Sequence, residues 1–225
     1  MKKEIFRYLK LILGFFCCSL GVVIIIKSNL GFSPWDVLHQ GISKVGGITI
    51  GQAAILVGST VVTLDLFLGE KIGSGTILNT LSMGIFMDGI LYLDIIPLST
   101  NILMGIPMMF LGLFIFSIGC YLYISTGLGC GPRDALMVAL TKKTNFSVRS
   151  IRSVMEVGVL VTGYLLGGYA GIGTVMVASF TGSFMQGVFR LFDFDVKSVV
   201  HRDIKMEAVL LKNYIYRGKH LKKPN

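Results

Sequence analysis

Charge is scarce in this chain, and histidine and cysteine are scarcer. Asp, Glu, Lys and Arg supply 15% of its 225 residues, where soluble domains carry about 25%. Hydrophobic residues supply 53%, and the mean hydropathy is +0.74. The charges sit in clumps. The runs between them are apolar and about 20 residues long, the length a helix needs to cross a bilayer. Lipid offers the backbone no hydrogen bonds, so such runs are helices. The four cysteines, Cys17, Cys18, Cys120 and Cys130, form no C-x-x-C pair, which argues against a disulfide framework or a thiolate metal site. They read as small apolar filler. The three histidines, His39, His201 and His220, build no H-E-x-x-H motif. There is also no G-x-S-x-G, and no carboxylate pair with a partner base. No catalytic constellation is therefore present, and neither a metal nor a cofactor is expected. The chain is not read as an enzyme.

The expected fold is an all-α membrane protein with six transmembrane helices, at about 8–28, 50–69, 73–93, 102–126, 148–167 and 171–192. The basic start and apolar run at the N-terminus resemble a signal peptide, but no small-residue cleavage site follows, and the run leads into Lys27, Ser28 and Asn29. Two short segments, 34–45 and 132–144, are too short to cross and each starts with a proline. They read as interfacial or re-entrant helices. With a cytoplasmic start and six crossings, 19 of the 21 Lys and Arg residues fall on the cytoplasmic side. That bias places both termini in the cytoplasm. The net charge of +9 is thereby explained by topology and not by nucleic acid. The expected partners are the lipid bilayer and a small-molecule substrate, and a homo-oligomer is compatible with the sequence.

The two halves align without a gap at an offset of 98 residues. Leu30–Leu38 matches Leu128–Leu136 in the pattern L-G-x-x-P-x-D-x-L, and Gly73–Thr76 matches Gly171–Thr174. The expected organisation is a three-helix repeat over 1–98, a second over 99–195, and a basic cytoplasmic tail over 196–225. Three crossings is an odd number, so the second copy enters the membrane reversed. The charges agree: Trp35, Val45, Gly51 and Ala54 are replaced by Arg133, Lys143, Arg149 and Arg152. Inverted repeats of this kind are common in secondary transporters.

The paired segments supply the candidate substrate-binding residues Pro34, Trp35 and Asp36, and Pro132, Arg133 and Asp134. Each aspartate falls in the first turn of a short helix, where it either caps the helix or faces a cation or substrate amine near the midplane. Arg152 and Glu156 lie four apart on the fifth span and can pair on one face, as a clamp or as part of a polar cavity. Asp88 is deep in the third span and is a candidate for a cavity-facing acid. Asp65 is near a span end and is expected to reach the interface. Thr76 and Thr174 end the two G-x-G-T turns. The turns lack a Walker pattern, so close helix packing with hydrogen-bonding threonines is the simpler reading, and a substrate-lining role the alternative. The tail from Lys197 is basic and is expected to lie against anionic headgroups or stay solvated.

With L-G-x-x-P-W-D at Leu30–Asp36, L-G-x-G-P-R-D at Leu128–Asp134, the Arg152/Glu156 span and G-G-x-x-G-I-G-T at Gly167–Thr174, the chain resembles the YczE/YyaS/YitT family of bacterial integral membrane proteins, and its YczE branch most. The resemblance implies a multi-spanning protein of the bacterial cytoplasmic membrane. It supplies no substrate and no catalytic residue. The leading expectation is a small-solute transporter working through an inverted-repeat site. The alternative is a non-transporting membrane protein that binds or regulates cytoplasmic partners.

Overall fold

The computed structural model describes residues 2–210. Eight α-helices occur in the order long, short, long, long, and then again long, short, long, long: α1 Lys2–Lys27, α2 Pro34–Gly46, α3 Ile50–Leu68, α4 Ser74–Leu93, α5 Ile102–Ile124, α6 Pro132–Lys143, α7 Val148–Leu165 and α8 Ile172–Leu191. A 3-10 turn, Val196–Ser198, follows, and no strand occurs among the described residues. Five helices, α1, α3, α4, α5 and α8, are long and apolar enough to cross a bilayer. Helix α7 has 18 residues but carries Arg149, Arg152 and Glu156 among them, and buried charge is costly in lipid.

The helix ends are written in the sequence. Ser33 caps α2 with Pro34 at the first helical position, and Gly47 closes it in the left-handed conformation. Thr49 and Gln52 form a capping box at the start of α3. Asn101 and Ser147 cap α5 and α7 through their side chains. These caps matter because the orphan N–H groups of a helix start need partners wherever water is scarce.

Helices α1 and α5 cross at the centre, and glycines set the crossing. A Cβ on Gly21 would lie 2.6 Å from the Gly112 carbonyl, and one on Gly112 would lie 2.8 Å from the Gly21 carbonyl. Small residues let backbones approach this closely in membranes. Gly14 and Gly119 meet in the same way, and Gly112 and Gly119 are the offset-98 counterparts of Gly14 and Gly21. Around this centre α1 packs on α4 and α5 on α8, while α2 packs on α7 and α3 on α6. Replacing Gly21 by leucine is expected to cost about 1–3 kcal/mol through overpacking, read as a lower melting temperature in detergent.

The links gather at two ends. At the end where α1 starts, Tyr8 bonds Ser74 at 3.1 Å, the Arg202 N–H donates to the Gly127 carbonyl at 2.8 Å, and Ile204 N–H donates to Ile72 O at 3.1 Å. At the other end Lys27 pairs with Asp94, and Ser99 N–H donates to Lys27 O at 2.8 Å. The stretch 199–204 is thus docked on the α3–α4 and α5–α6 links. For those residues this corrects the expectation of a solvated or lipid-bound tail. The second half of that tail, 211–225, lies outside the described residues.

Candidate functional site

Two interlocking turns hold the short helices. The Gly173 N–H donates to the Leu30 carbonyl at 2.7 Å, and the Gly75 N–H donates to the Leu128 carbonyl at 2.8 Å. Each half's G-x-G-T turn therefore grips the other half's L-G segment. The gripped glycines, Gly31 and Gly129, have φ of +126° and +134°, which only glycine adopts without strain. Thr76, fully enclosed, donates to the Cys130 carbonyl at 2.6 Å. Thr174 is also buried and accepts from the Gly171 N–H at 3.1 Å. Both threonines thus fasten backbone, Thr76 across the halves and Thr174 within its own turn.

The grip brings the first turns of α2 and α6 together. Asp36 is buried. One carboxylate oxygen accepts from the Ser33 hydroxyl, and the other lies 3.2 Å from His39 Nδ1. His39 is also buried, and its Nε2 is 3.5 Å from Arg133 Nη2 on α6. The guanidinium of Arg133 lies 4.4 Å from the centre of the Trp35 ring, close enough for a cation–π contact. Trp35 and Arg133 are offset-98 counterparts, so each half contributes the same position to one stack. Guanidinium can only donate. The chain of bonds is therefore Arg133 to Nε2, Nδ1–H to Asp36, and Ser33 to Asp36, with His39 neutral.

Electrostatics support that protonation pattern. Burial would push the Asp36 carboxyl up, but the His39 hydrogen bond, Arg133 and Ser33 together hold it below its ordinary value. Burial, aided by Arg133, pushes the His39 ring below its ordinary 6.5. A ring whose folded value lies below its unfolded one adds stability above pH 6.5, and that stability is lost as pH falls through the depressed value. Nitrogen-15 NMR, with His39→Gln for assignment, is expected to show the His39 ring staying neutral to lower pH than an unperturbed histidine. Asp134, at the matching place in α6, is pushed up by burial and pulled down by Arg152, Arg133 and His201.

The remaining candidates make no hydrogen bond to this cluster among the described residues. Asp88 does not face it: its carboxylate accepts from the Gly51 N–H at 2.8 Å and from the Thr49 hydroxyl. It ties α4 to the start of α3. Arg152 and Glu156 pair at 3.1 Å on α7, with Arg152 exposed and Glu156 half-buried. Pro34 and Pro132 are buried helix starts. The two outer seams differ. In the first half Gly51 packs on Gly84 and Gly58 on Thr80. In the second half these glycines are replaced by Arg149 and Glu156, and Gly182, the counterpart of Gly84, meets nothing within 4 Å. Helices α3 and α4 pack closely, whereas α7 and α8 do not.

Residues 5–190 match the model of a family of unknown function, DUF6198. The chain belongs to that family. It is 33% identical over 189 residues to the uncharacterized membrane protein YczE of Bacillus subtilis (strain 168), covering 83% of this chain and 87% of that one. An uncharacterized protein of Haemophilus influenzae (strain ATCC 51907 / DSM 11121 / KW20 / Rd) is 34% identical over 168 residues, 75% of this chain and 76% of its own. The uncharacterized protein YyaS of B. subtilis is 27% identical over 183 residues, 80% and 90% of the two chains. No solved structure gives a significant match. The family and the apolar helices make this a membrane protein.

Proposed function

We propose that the chain is a small-solute transporter of the bacterial cytoplasmic membrane, crossing it six times as two inverted three-helix repeats with both termini inside. One observation carries the reading: Trp35 and Arg133, the same position in the two halves, stack on each other. A residue that touches its own counterpart lies on the axis relating the halves, where inverted-repeat transporters bind substrate. The exchanged hydrogen bonds from Gly75 and Gly173 and the shared Gly14/Gly21/Gly112/Gly119 crossing support the same axis. Arg133 is exposed, and in this reading a solute reaches the cluster there, from the end where α1 starts. Asp88 keeps the corresponding seam at the other end shut. In this reading the cluster offers a guanidinium, an indole face and a buried carboxylate to a small polar solute.

The test is uptake of a panel of radiolabelled small solutes by cells producing the wild-type chain or the Asp36→Asn/Asp134→Asn double variant. One solute class is expected to accumulate with the wild type and not with the variant. Wild-type uptake in the variant overturns the site. A panel in which no solute enters leaves the partner-binding alternative as the better reading.

A further inference from the structure

Helix α3 carries an acid that the cluster does not use. Asp65 has no exposed surface, and among the described residues neither of its carboxylate oxygens has a hydrogen-bond partner. Its own backbone carbonyl is occupied in closing the helix, accepting from the Glu70 N–H at 2.9 Å. The side chain lies on the buried face shared with Val61, one turn before the helix end.

The neighbouring cations are taken. Lys142, from α6, is held by both oxygens of Glu70 at 2.8 and 2.9 Å. Lys71 lies 3.7 Å from Asp203, and Arg202 pairs with Glu4 at 3.4 Å. The other charged or titratable groups on the elements packed against α3 are Arg133, Asp134 and Lys143 on α6, Asp36, His39 and Lys44 on α2, and Asp88 and Tyr92 on α4. Arg133 is engaged with Trp35 and His39, Lys44 donates to the Gly167 carbonyl at 2.7 Å, and Asp88 is bound at the opposite end of α3. The Cys130 thiol, on the α5–α6 link, also faces this acid, and among the described residues no hydrogen bond reaches either carboxylate oxygen of Asp65. An ionised carboxylate closed in without a partner is so costly that such a group takes up a proton instead. The counterpart position in the second half is Gly163, packed directly on the backbone of Val37 and Leu38. The first half thus keeps a carboxyl at a helix crossing where the second half keeps nothing.

We infer that Asp65 is a proton-binding site, loaded in this conformation and emptied when α6 moves away from α3. The O–H bond of the carboxylic acid then breaks, the proton passes to water, and the carboxylate is left hydrated. Used as the coupling step of the transport proposed above, and resting on that reading, this makes the proton the driving ion.

The experiment is infrared spectroscopy of the purified protein in lipid at neutral pH, comparing wild type with Asp65→Asn and with Asp88→Asn. The carbonyl stretch of a protonated carboxyl is expected in the wild type, retained in Asp88→Asn and lost in Asp65→Asn. A wild-type spectrum without that band overturns the site. Asp65→Asn, which keeps the shape of the protonated acid, is expected to melt within a few degrees of the wild type, so its spectrum reports on a folded protein. In the second arm an inward proton gradient is imposed on vesicles reconstituted with either protein, and a pH-sensitive dye in the lumen reports proton entry. Faster entry with the wild type than with Asp65→Asn is expected. Equal entry overturns the coupling role while leaving the infrared band to decide proton binding. The uptake panel decides the transport reading separately.

Discussion

Asp36→Ala is expected to destabilise the protein by about 3 kcal/mol. The carboxylate is the acceptor for Ser33 and His39 at once, and its loss leaves the buried Nδ1–H of His39 without a partner. The Arg133 guanidinium also loses the negative charge nearest the His39 ring, so the link between α2 and α6 weakens. Asp36→Asn keeps an acceptor oxygen and is expected to cost less than half as much. The check is thermal or denaturant unfolding in mixed micelles. Equal, small effects for both variants would mean that the cluster is held by the surrounding helices and not by its own bonds.

Gly31→Ala and Gly129→Ala are expected to fail alike. Each glycine sits in a conformation that a side chain adopts only with strain, costing about 1–3 kcal/mol. A Cβ at Gly31 would also lie 2.7 Å from the Gly171 nitrogen, and one at Gly129 would lie 2.6 Å from the Thr76 hydroxyl. The overpacking adds about 1–3 kcal/mol. Either substitution alone is expected to reduce the folded yield sharply, and to a similar degree. Yield and melting temperature of the two variants, made side by side, check this. A tolerated Gly129→Ala beside a lethal Gly31→Ala would show that the two grips are not equivalent.

Much of this was legible in the sequence because membranes leave few choices. Each expected span overlaps a helix, with 50–69 at Ile50–Leu68 and 73–93 at Ser74–Leu93, although α1 starts at Lys2 and α7 is not among the five helices apolar enough to cross. The prolines at 34 and 132 mark the starts of α2 and α6 as expected. The offset of 98 was visible, but its geometric meaning was not. The replacement of Trp35 by Arg133 reads as a charge asymmetry until the two side chains are seen to stack. His39 was missed, though it stands three residues after Asp36, the spacing that puts two side chains on one helical face. Asp65, near a helix end, is within reach of the interface by sequence position, but the structure encloses it, since periodicity gives a face but not what packs on it. Asp88 was expected as a cavity-facing acid, and the donors at the start of α3 claim it. The looser packing of α7 on α8 goes with the exchange of Gly51 and Gly58 for Arg149 and Glu156.

The central claim is that the first turns of α2 and α6 form one site on an axis between two inverted halves. The most direct measurement is labelling of single cysteines at positions 30–40 and 128–138, in a chain whose four native cysteines are replaced, with a membrane-impermeant thiol reagent applied from each side. Positions near Asp36 and Asp134 are expected to react from opposite faces, and both are expected to be protected by one small solute. Reaction of both segments from the same face would contradict the inverted arrangement. Full exposure at opposite surfaces with no solute protecting either would contradict the shared site.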